Sequence, residues 1–420
     1  MNTVILGAGI VGITTAYELA QRGHGVTVVD AESAPAMRTS FANGGQVSVS
    51  EAMPWASPAS LRMAILWMTR PGAPFRFGLR PDPDQWAWIT AFVRNCTNTR
   101  WHRNAHAMLN LGALSLARLT EIRQQADIRY DREARGILRV FGDRHAAAAE
   151  ARHLESLVRR HGIRLETLDA DACAALEPAL EQAVERGRVG GGIFAPDDES
   201  GDAHVFAQEL AAACRRMGVH FIYDDHAEEI ESLSDRVTGL VTARHRIRAD
   251  RLIVAGGVGS RDLLRHVGLS LPIWPVRGYS ATIDVTGSNS APRVSITDQA
   301  NRIVVSRFGN RLRVAGKADI AGRGDGPDPQ RADDVMRNLF DLFPDAGDRC
   351  SAETWSGERP MTPNGIPLIG ETDMRGLFVN TGHGSLGWTL SAGSAVLLAD
   401  LIDGRTPRLD PAPYSPRRWV

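Results

Sequence analysis

A glycine-rich turn near the N-terminus constrains this chain more than any other feature. Gly7, Gly9 and Gly12 form the pattern G-x-G-x-x-G, directly after a short β-branched run and directly before an apolar helical pattern. The next strand pattern ends in Asp30. This order predicts a βαβ unit that binds a dinucleotide. Asp30 is expected to accept hydrogen bonds from ribose hydroxyls, and its charge argues against a 2′-phosphate.

Each position of this turn has a physical role in such a unit. Gly7 permits the tight turn, Gly9 lets a pyrophosphate approach the backbone, and Gly12 lets the helix pack closely on the strand. The backbone amides of Ile10 and Val11 lie at the helix N-terminus, where unpaired N–H groups and the helix dipole favour an anion. The turn alone does not choose between FAD and NAD.

The rest of the chain alternates between two kinds of pattern. Further buried strands and helices extend the α/β part, while the alternating strands at 279–315 are typical of an antiparallel sheet. The other strands are predicted at 136–141, 190–194, 219–223, 251–257 and 376–380, and the helices at 13–22, 86–125, 146–160, 204–217 and 386–402. The dinucleotide-binding domain is therefore expected to be discontinuous, with a second domain inserted in pieces.

Length, charge and cysteine content limit the number of domains and the classes of partner that this chain can have. A chain of 420 residues is too long for one ordinary core and suggests two domains. The formal net charge of −1 gives no reason to expect a nucleic-acid partner. The four cysteines form no Cys-x-x-Cys pair, so no metal site is expected.

One apolar, aromatic segment stands out at residues 53–77. Arginines and prolines interrupt it, so it is not a membrane span. It is interpreted as a core or lid element, with a surface that touches a bilayer as the alternative.

Six further motifs occur in a fixed order and carry a resemblance. They are TSFANGGQ at 39–46, GD at 201–202, AGG at 255–257, PVRGYS at 275–280, GERPMTPNG at 357–365 and NTGHGSLGW at 380–388. Together with the N-terminal turn, this set resembles the FAD-dependent D-amino acid dehydrogenases of the D-amino acid oxidase and glycine oxidase superfamily. The resemblance covers nearly the whole chain.

The resemblance implies an α/β fold, α+β overall, with a discontinuous Rossmann-like domain that binds FAD non-covalently. That domain is expected at 1–50, 195–270 and 355–405, a substrate-binding domain on an antiparallel sheet at 51–194 and 271–354, and a C-terminal tail at 406–420. The residues implied to contact FAD, beyond the N-terminal turn and Asp30, are Ser40, Asn43, Gly44, Gly45, Gln46, Ala227, Gly256, Gly382, Gly384, Ser385, Leu386 and Gly387.

Arg359 is the residue most strongly implied to bind substrate. A guanidinium is always charged and can grip a carboxylate with two hydrogen bonds. Tyr279 and His383 are further substrate-binding candidates, each with core packing as the alternative. Asn301 is a fourth candidate, in a region where related enzymes often carry a tyrosine. No catalytic base is assigned.

The resemblance implies oxidative deamination of a D-amino acid, with hydride transfer from Cα to flavin N5. A quinone or another electron-transfer acceptor is expected to take the electrons. The enzyme is expected in the cytoplasm, with association with the inner face of the cell membrane as a possibility. An oligomer is possible. Alternatives are an enzyme for a cyclic or N-substituted amino acid of the D-proline type, a non-catalytic FAD-binding subunit of a larger dehydrogenase, and an NAD dehydrogenase. A serine hydrolase is rejected, because no histidine follows Ser385.

Overall fold

A computed structural model describes residues 2–67, 72–285, 287, 291–320 and 326–419. The strands are β1 Asn2–Leu6, β2 Gly25–Val29, β3 Gln46–Val47, β4 Phe75–Phe77, β5 Ile137–Phe141, β6 Glu166–Asp169, β7 Gly191–Ala195, β8 Glu199–Ser200, β9 His220–Ile222, β10 Ala227–Leu233, β11 Arg236–Thr242, β12 Arg246–Arg248, β13 Arg251–Val254, β14 Trp274–Asp284, β15 Ser295–Asp298, β16 Ile303–Phe308, β17 Arg311–Ile320, β18 Asp348–Met361, β19 Leu368–Glu371 and β20 Leu377–Thr381. The helices are α1 Ile10–Gln21, α2 Pro58–Trp67, α3 Pro83–Asn95, α4 Asn98–Ala126, α5 Arg144–Val158, α6 Ala170–Leu176, α7 Glu181–Glu185, α8 Ala203–Arg216, α9 Ser260–Arg265, α10 Pro329–Leu342 and α11 Gly387–Ile402.

The first sheet contains the glycine-rich turn. Its strand order is β19-β20-β13-β1-β2-β9, and all neighbours are parallel except β19 and β20. Helix α1 connects β1 to β2, as the βαβ prediction requires. The strands of this sheet come from three separate stretches of the chain. The exact limits of the two domains stay a prediction. The α/β fold class with a Rossmann-like unit is confirmed.

Helix α11 closes the core of this part of the molecule. It packs against α1 and α4, and nearly all its residues are buried. The stretch Gly384–Ile402 is the one helical stretch, among the described residues, with the length and hydropathy to cross a membrane, but 78 % of it is buried inside the protein. Its apolar composition is explained by packing in the core.

The second sheet has nine strands in the order β18-β14-β17-β16-β15-β5-β7-β6, with β4 added beside β17. Alternate residues of its strands point to opposite faces. On β14, Tyr279, Ala281 and Ile283 belong to an apolar cluster with α10. Gly278 and Ser280 point the other way, toward the residue 39–46 segment described below. One face is therefore a core, and the other is free to build a site.

Two elements differ from their sequence predictions. The helix expected at 86–125 is two helices, α3 and α4, because Thr97 is extended and its side chain accepts a hydrogen bond from the backbone N–H of Arg100. This cap starts a new helix inside a continuous helical pattern. The strands expected at 279–315 are antiparallel to one another, whereas β15 pairs with β5 and β17 pairs with β4 in parallel. Part of that region, 286 and 288–290, and residues 68–71 of the apolar segment lie outside the described residues.

Candidate active site

The glycine-rich turn is packed tightly between β13 and α1. A Cβ added at Gly7 would lie 2.6 Å from the carbonyl oxygen of Ala255, and one at Gly12 would lie 1.8 Å from the carbonyl oxygen of Gly7. Gly9 is different, since its nearest neighbour would be the Ser40 hydroxyl at 3.8 Å. The structure therefore leaves space at the middle glycine, where a pyrophosphate must approach the backbone.

Asp30 at the end of β2 ties this turn to the neighbouring loop. Its Oδ2 accepts a hydrogen bond from the Ala8 amide at 2.5 Å, and its Oδ1 accepts one from the Glu32 amide at 2.8 Å. Burial raises the pKa of Asp30, while these two backbone hydrogen bonds oppose the rise. Each carboxylate oxygen keeps a second lone pair for a ribose hydroxyl. The Asp225 amide donates to the Asp30 carbonyl at 3.1 Å, which brings Ala227 into the same region.

The segment 39–46, called here the 39–46 loop, connects the glycine-rich turn to the second sheet. The Ser40 hydroxyl accepts from the Ile10 amide at the start of α1, at 3.3 Å. On the sheet side, the Ser280 hydroxyl donates to the Ala42 carbonyl and the Ser306 hydroxyl donates to the Gly44 carbonyl, each at 2.7 Å. The loop is thus held between the two sheets of the molecule.

Glycines let this loop lie flat on the sheet. A Cβ at Gly44 would be 2.4 Å from a methyl of Val304, and one at Gly45 would be 2.3 Å from the Phe308 ring. Gly45 also has φ of +69°, a conformation that side chains rarely adopt. The Asn43 side chain accepts from the Gly45 amide at 3.0 Å and closes the turn.

The ends of the 39–46 loop are fixed by two further contacts. The Gln46 side-chain amide donates to the hydroxyls of Ser295 at 2.9 Å and Thr297 at 3.2 Å. The Thr39 hydroxyl donates to the carbonyl of Glu358 at 2.8 Å. The second contact matters for the site, because Glu358 is the residue before Arg359.

Arg359 lies on the face of the sheet that carries the 39–46 loop. Its Nη1 donates to the carbonyl of Lys317 at 2.9 Å, and its guanidinium lies flat beside Gly278, where a Cβ would come within 2.3–2.6 Å of its atoms. Burial lowers the pKa of Arg359 to about 10, and Asp319 partly opposes this. The group remains charged at neutral pH, and its side chain is not fully covered.

A β-bulge places the acceptor for Arg359. Between the pairs Arg277–Asp319 and Tyr279–Gly316, β14 has one residue and β17 has two. The extra residue follows from Lys317, whose φ of +59° is in the left-handed region. Bulges commonly redirect a group beside a functional site. Here the bulge coincides with the carbonyl that holds the guanidinium.

The turn 382–387 lies beside the end of the same strand. Met361, two residues after Arg359, forms an isolated β-bridge with His383. Gly384 packs on Met361, and the short 3₁₀ helix Gly384–Leu386 leads into α11 at Gly387. Gly382 has φ of +81° and packs on Thr362. Along β18, Arg359 therefore lies between Glu358, which contacts the 39–46 loop, and Met361, which contacts the turn that leads through Ser385 into α11.

The placement of His383 does not support a substrate contact. The residue is 3 % exposed, and its Nε2 lies 2.8 Å from the Ser394 hydroxyl inside α11. Burial lowers the pKa of His383 to about 3, so the ring is neutral at neutral pH. The alternative of a packed, hydrogen-bonded histidine describes this position.

Tyr279 also points away from the site. It is 2 % exposed, and its hydroxyl donates to Asp319 at 3.0 Å on the apolar face of the sheet. Since residues alternate along β14, a side chain next to Gly278 must lie on the opposite face. Asn301 lies in the turn between β15 and β16, where its side-chain amide donates to Asp298 at 2.7 Å. Its role in substrate binding stays a prediction.

Comparison with known proteins gives the family. The FAD dependent oxidoreductase family matches residues 2–401. This chain belongs to that family. It is 45 % identical over 406 residues to the D-amino acid dehydrogenase of Paramagnetospirillum magneticum, covering 96 % of both chains. It is 40 % identical over 419 residues to the D-amino acid dehydrogenase of Rhizobium rhizogenes, covering 100 % of both.

Solved structures agree on the fold of this FAD-dependent oxidoreductase. Glycine oxidase from Geobacillus kaustophilus has a TM-score of 0.75 at 22 % identity, covering 100 % of this chain and 98 % of its own. L-proline dehydrogenase from P. horikoshii has a TM-score of 0.75 at 15 % identity, covering 100 % and 97 %. At these identities the likeness concerns the fold alone.

The residues of this oxidoreductase fit FAD. The open backbone at Gly9, the start of α1 and the carboxylate of Asp30 suit a pyrophosphate and a ribose. No group of three or more His, Cys, Asp or Glu side chains within the described part of the chain could hold a metal ion. Which individual residues contact the cofactor stays a prediction.

The sequence motifs assign no role to two residues of the Arg359 pocket. Gly278 is one residue of the motif PVRGYS, yet the guanidinium rests on it. Trp55 has its ring centroid 6.0 Å from the Arg359 Cζ, and nothing in the local pattern pairs it with a strand 300 residues later. The available signal for Gly278 was a glycine inside a strand pattern, which often marks a close approach.

Proposed function

We propose that this flavoenzyme oxidises D-amino acids at Cα, giving a 2-oxo acid and ammonia. The names of the relatives support the substrate class, since both bacterial proteins at 40–45 % identity are D-amino acid dehydrogenases. The observation that carries the proposal is the position of Arg359. It directly follows Glu358, whose carbonyl accepts a hydrogen bond from Thr39. It precedes by two residues Met361, which forms a β-bridge with His383.

The guanidinium is prepared to bind a carboxylate. One of its donors is used by the Lys317 carbonyl, which leaves a planar pair of N–H groups for a bidentate contact. The lowered pKa of Arg359 reflects a poorly hydrated charge, and such a charge gains most when a carboxylate replaces water. Binding there would hold Cα between the 39–46 loop and the turn 382–387.

When bound, FAD supplies the acceptor for the hydride that leaves Cα. The residues of the chain orient the substrate and exclude water around the reacting carbon. His383 is neutral and engaged with Ser394, so it is not assigned as a base. The substrate amine arrives neutral in this proposal, and water hydrolyses the released imino acid.

The test uses anaerobic flavin bleaching with D- and L-amino acids, followed by kinetics of Arg359→Ala. Removing one partner of a buried ion pair costs about 3–5 kcal/mol, so kcat/KM should fall roughly a hundredfold to several thousandfold. Arg359→Lys should recover only part of this, because it lacks the planar fork. Arg349→Ala, an exposed arginine on the same strand, should be unaffected.

The comparison that decides the role of Arg359 is between a D-amino acid and its amide. The amide lacks the carboxylate charge, so it should be a poor substrate that loses little on mutation. If acid and amide lose equally, Arg359 is structural. A panel with D-proline and N-methylated substrates separates the proposal from the cyclic-amine alternative.

We further propose that the electrons pass to an acceptor other than oxygen, such as a quinone.

We also propose a peripheral contact with the inner face of the membrane. Four large apolar side chains on α2, α3 and the chain between them are 43–55 % exposed: Leu66, Leu79, Trp86 and Val93. Arg62 and Arg94 are exposed on the same helices, which suits an anionic lipid surface.

Both of these proposals have direct tests. Reduced enzyme should pass electrons faster to a soluble quinone than to oxygen in stopped-flow experiments. Wild type should sediment with vesicles that contain anionic phospholipid, and Leu66→Ala with Trp86→Ala should not. Leu233→Ala is the control, because Leu233 is 73 % exposed but lies at the end of β10, outside α2 and α3. Equal sedimentation of all variants would contradict this surface.

A further inference from the structure

Three aromatic rings form a continuous wall on one side of Arg359. The Trp55 ring centroid lies 6.0 Å from the guanidinium carbon. Trp55 meets Phe75 edge to face at 5.3 Å, and Phe75 stacks on Trp67 at 5.2 Å with an interplanar angle of 6°. We call Trp55, Phe75 and Trp67 the aromatic wall. All three are partly exposed.

The aromatic wall is fixed to β17, the strand whose Lys317 carbonyl holds the Arg359 guanidinium. Phe75 lies on β4, whose pairing partner on β17 is Ala318, next to the Lys317 carbonyl that holds the guanidinium. The chain that leads to Trp55 is held by the Trp101 indole, which donates to the Pro54 carbonyl at 3.2 Å. The wall and the arginine are therefore anchored to the same part of the second sheet.

The backbone a few residues before Trp55 is fixed by a buried carboxyl group from a distant part of the chain. Asp198 accepts hydrogen bonds from the amides of Val49 at 2.9 Å and Ser50 at 3.2 Å. It is 3 % exposed. Because both ends of the stretch from Val49 to Trp55 are tied to the core, Trp55 is a fixed part of the pocket.

The ion pairs formed by the charged neighbours of Arg359 along the strands lie on the opposite face of the sheet, the face covered by α10. The pairs are Arg76–Asp319, Arg331–Asp319, Arg277–Glu358 and Lys317–Asp334. These described side chains are engaged with one another, so they offer no partner to a charged substrate side chain that packs on the aromatic wall. Burying such a charge there would be unfavourable.

We infer that the aromatic wall receives the substrate side chain, and that the favoured substrates are D-amino acids with large apolar or aromatic side chains. This inference rests on the proposed function and specifies its substrate class. A ring held at Arg359 by its carboxylate can pack against Trp55, where aromatic pairs prefer offset or edge-to-face contact. Acidic and basic D-amino acids are disfavoured for lack of a partner.

The experiment measures kcat/KM for D-phenylalanine, D-alanine, D-glutamate and D-arginine with an artificial dye as acceptor. Wild type should prefer D-phenylalanine to both charged substrates by at least about tenfold. Trp55→Ala should lower kcat/KM for D-phenylalanine by about 10- to 200-fold, the range for loss of an apolar pocket contact. The value for D-alanine should fall by a smaller factor, since its methyl group is too short to use the wall.

Two further variants separate specificity from folding. Trp55→Phe should recover much of the D-phenylalanine activity. Phe75→Leu should reduce it partly, whereas Phe340→Leu, an aromatic change in α10 on the opposite face of the sheet, should leave the ratio of the two substrates unchanged. Flavin content and melting temperature should match wild type in Trp55→Phe.

The outcomes separate a failure of the proposed function from a failure of the aromatic wall as a side-chain site. If no D-amino acid bleaches the flavin, the proposed function fails and the inference with it. If D-alanine bleaches the flavin but Trp55→Ala lowers D-alanine and D-phenylalanine equally, Trp55 only supports Arg359 and the inference alone is overturned. A wild-type preference for D-glutamate or D-arginine would overturn it as well.

Discussion

The two faces of the nine-stranded sheet are built from alternate residues of the same strands, yet they differ in chemistry. On one face, Tyr279, Ala281 and Ile283 pack under α10 in an apolar cluster. On the other, Gly278 and Ser280 meet the Arg359 guanidinium and the 39–46 loop. A shift of β14 by one residue would exchange the two sets.

This comparison shows how one strand can serve stability and binding separately. The apolar face needs close packing, whereas the other face needs small or hydroxyl-bearing residues that let a loop and a guanidinium approach. Because the two requirements fall on alternate positions, a change on one face should affect one property and spare the other.

The largest expected effect is on the apolar face. Leu339 in α10 is fully buried in the cluster. Leu339→Ala should lower the free energy of unfolding by about 2–5 kcal/mol, through lost burial and the remaining cavity. Chemical denaturation measures this. Below the unfolding transition, kcat/KM and FAD affinity should stay within about twofold of wild type. A parallel loss of activity in folded protein would show that packing on the apolar face also shapes the site.

The next effect is on the site face. Gly278→Ala would place a methyl group within 2.3–2.6 Å of the Arg359 guanidinium, which must then move. We expect a loss of about a hundredfold in kcat/KM, equivalent to about 2.7 kcal/mol, with FAD still bound. Gly239→Ala is the control, because its Cβ would be crowded to 2.7 Å by a backbone oxygen on a different sheet. It should cost stability alone.

Much of this arrangement followed from sequence, and the rest depended on contacts between distant segments. The glycine-rich turn, α1 and α11 are local patterns, and the sequence places Arg359 close before the turn 382–387. By contrast, the faces taken by Tyr279 and His383 depend on the register of β14 with β18 and on packing against α11. The bulge at Lys317 and the cap at Thr97 each depend on one residue whose conformation no periodicity reveals.

The smallest expected effect compares two neighbours on opposite faces, Ser280 and Tyr279. Ser280→Ala removes the hydroxyl that donates to the Ala42 carbonyl, and Tyr279→Phe removes the hydroxyl that donates to Asp319. Each should lower the free energy of unfolding by about 1–2 kcal/mol, the usual cost of one buried hydrogen bond with its partner left behind.

The two variants should differ in cofactor affinity. Only Ser280 holds the 39–46 loop, so only Ser280→Ala should weaken FAD binding, by several-fold in a fluorescence titration of the apoprotein. Tyr279→Phe should bind FAD and turn over substrate like wild type, because its hydroxyl lies beyond the backbone of β14 from the site. Equal weakening of FAD binding in both variants would mean that the apolar face transmits strain to the loop, and that the faces are coupled through the backbone of β14.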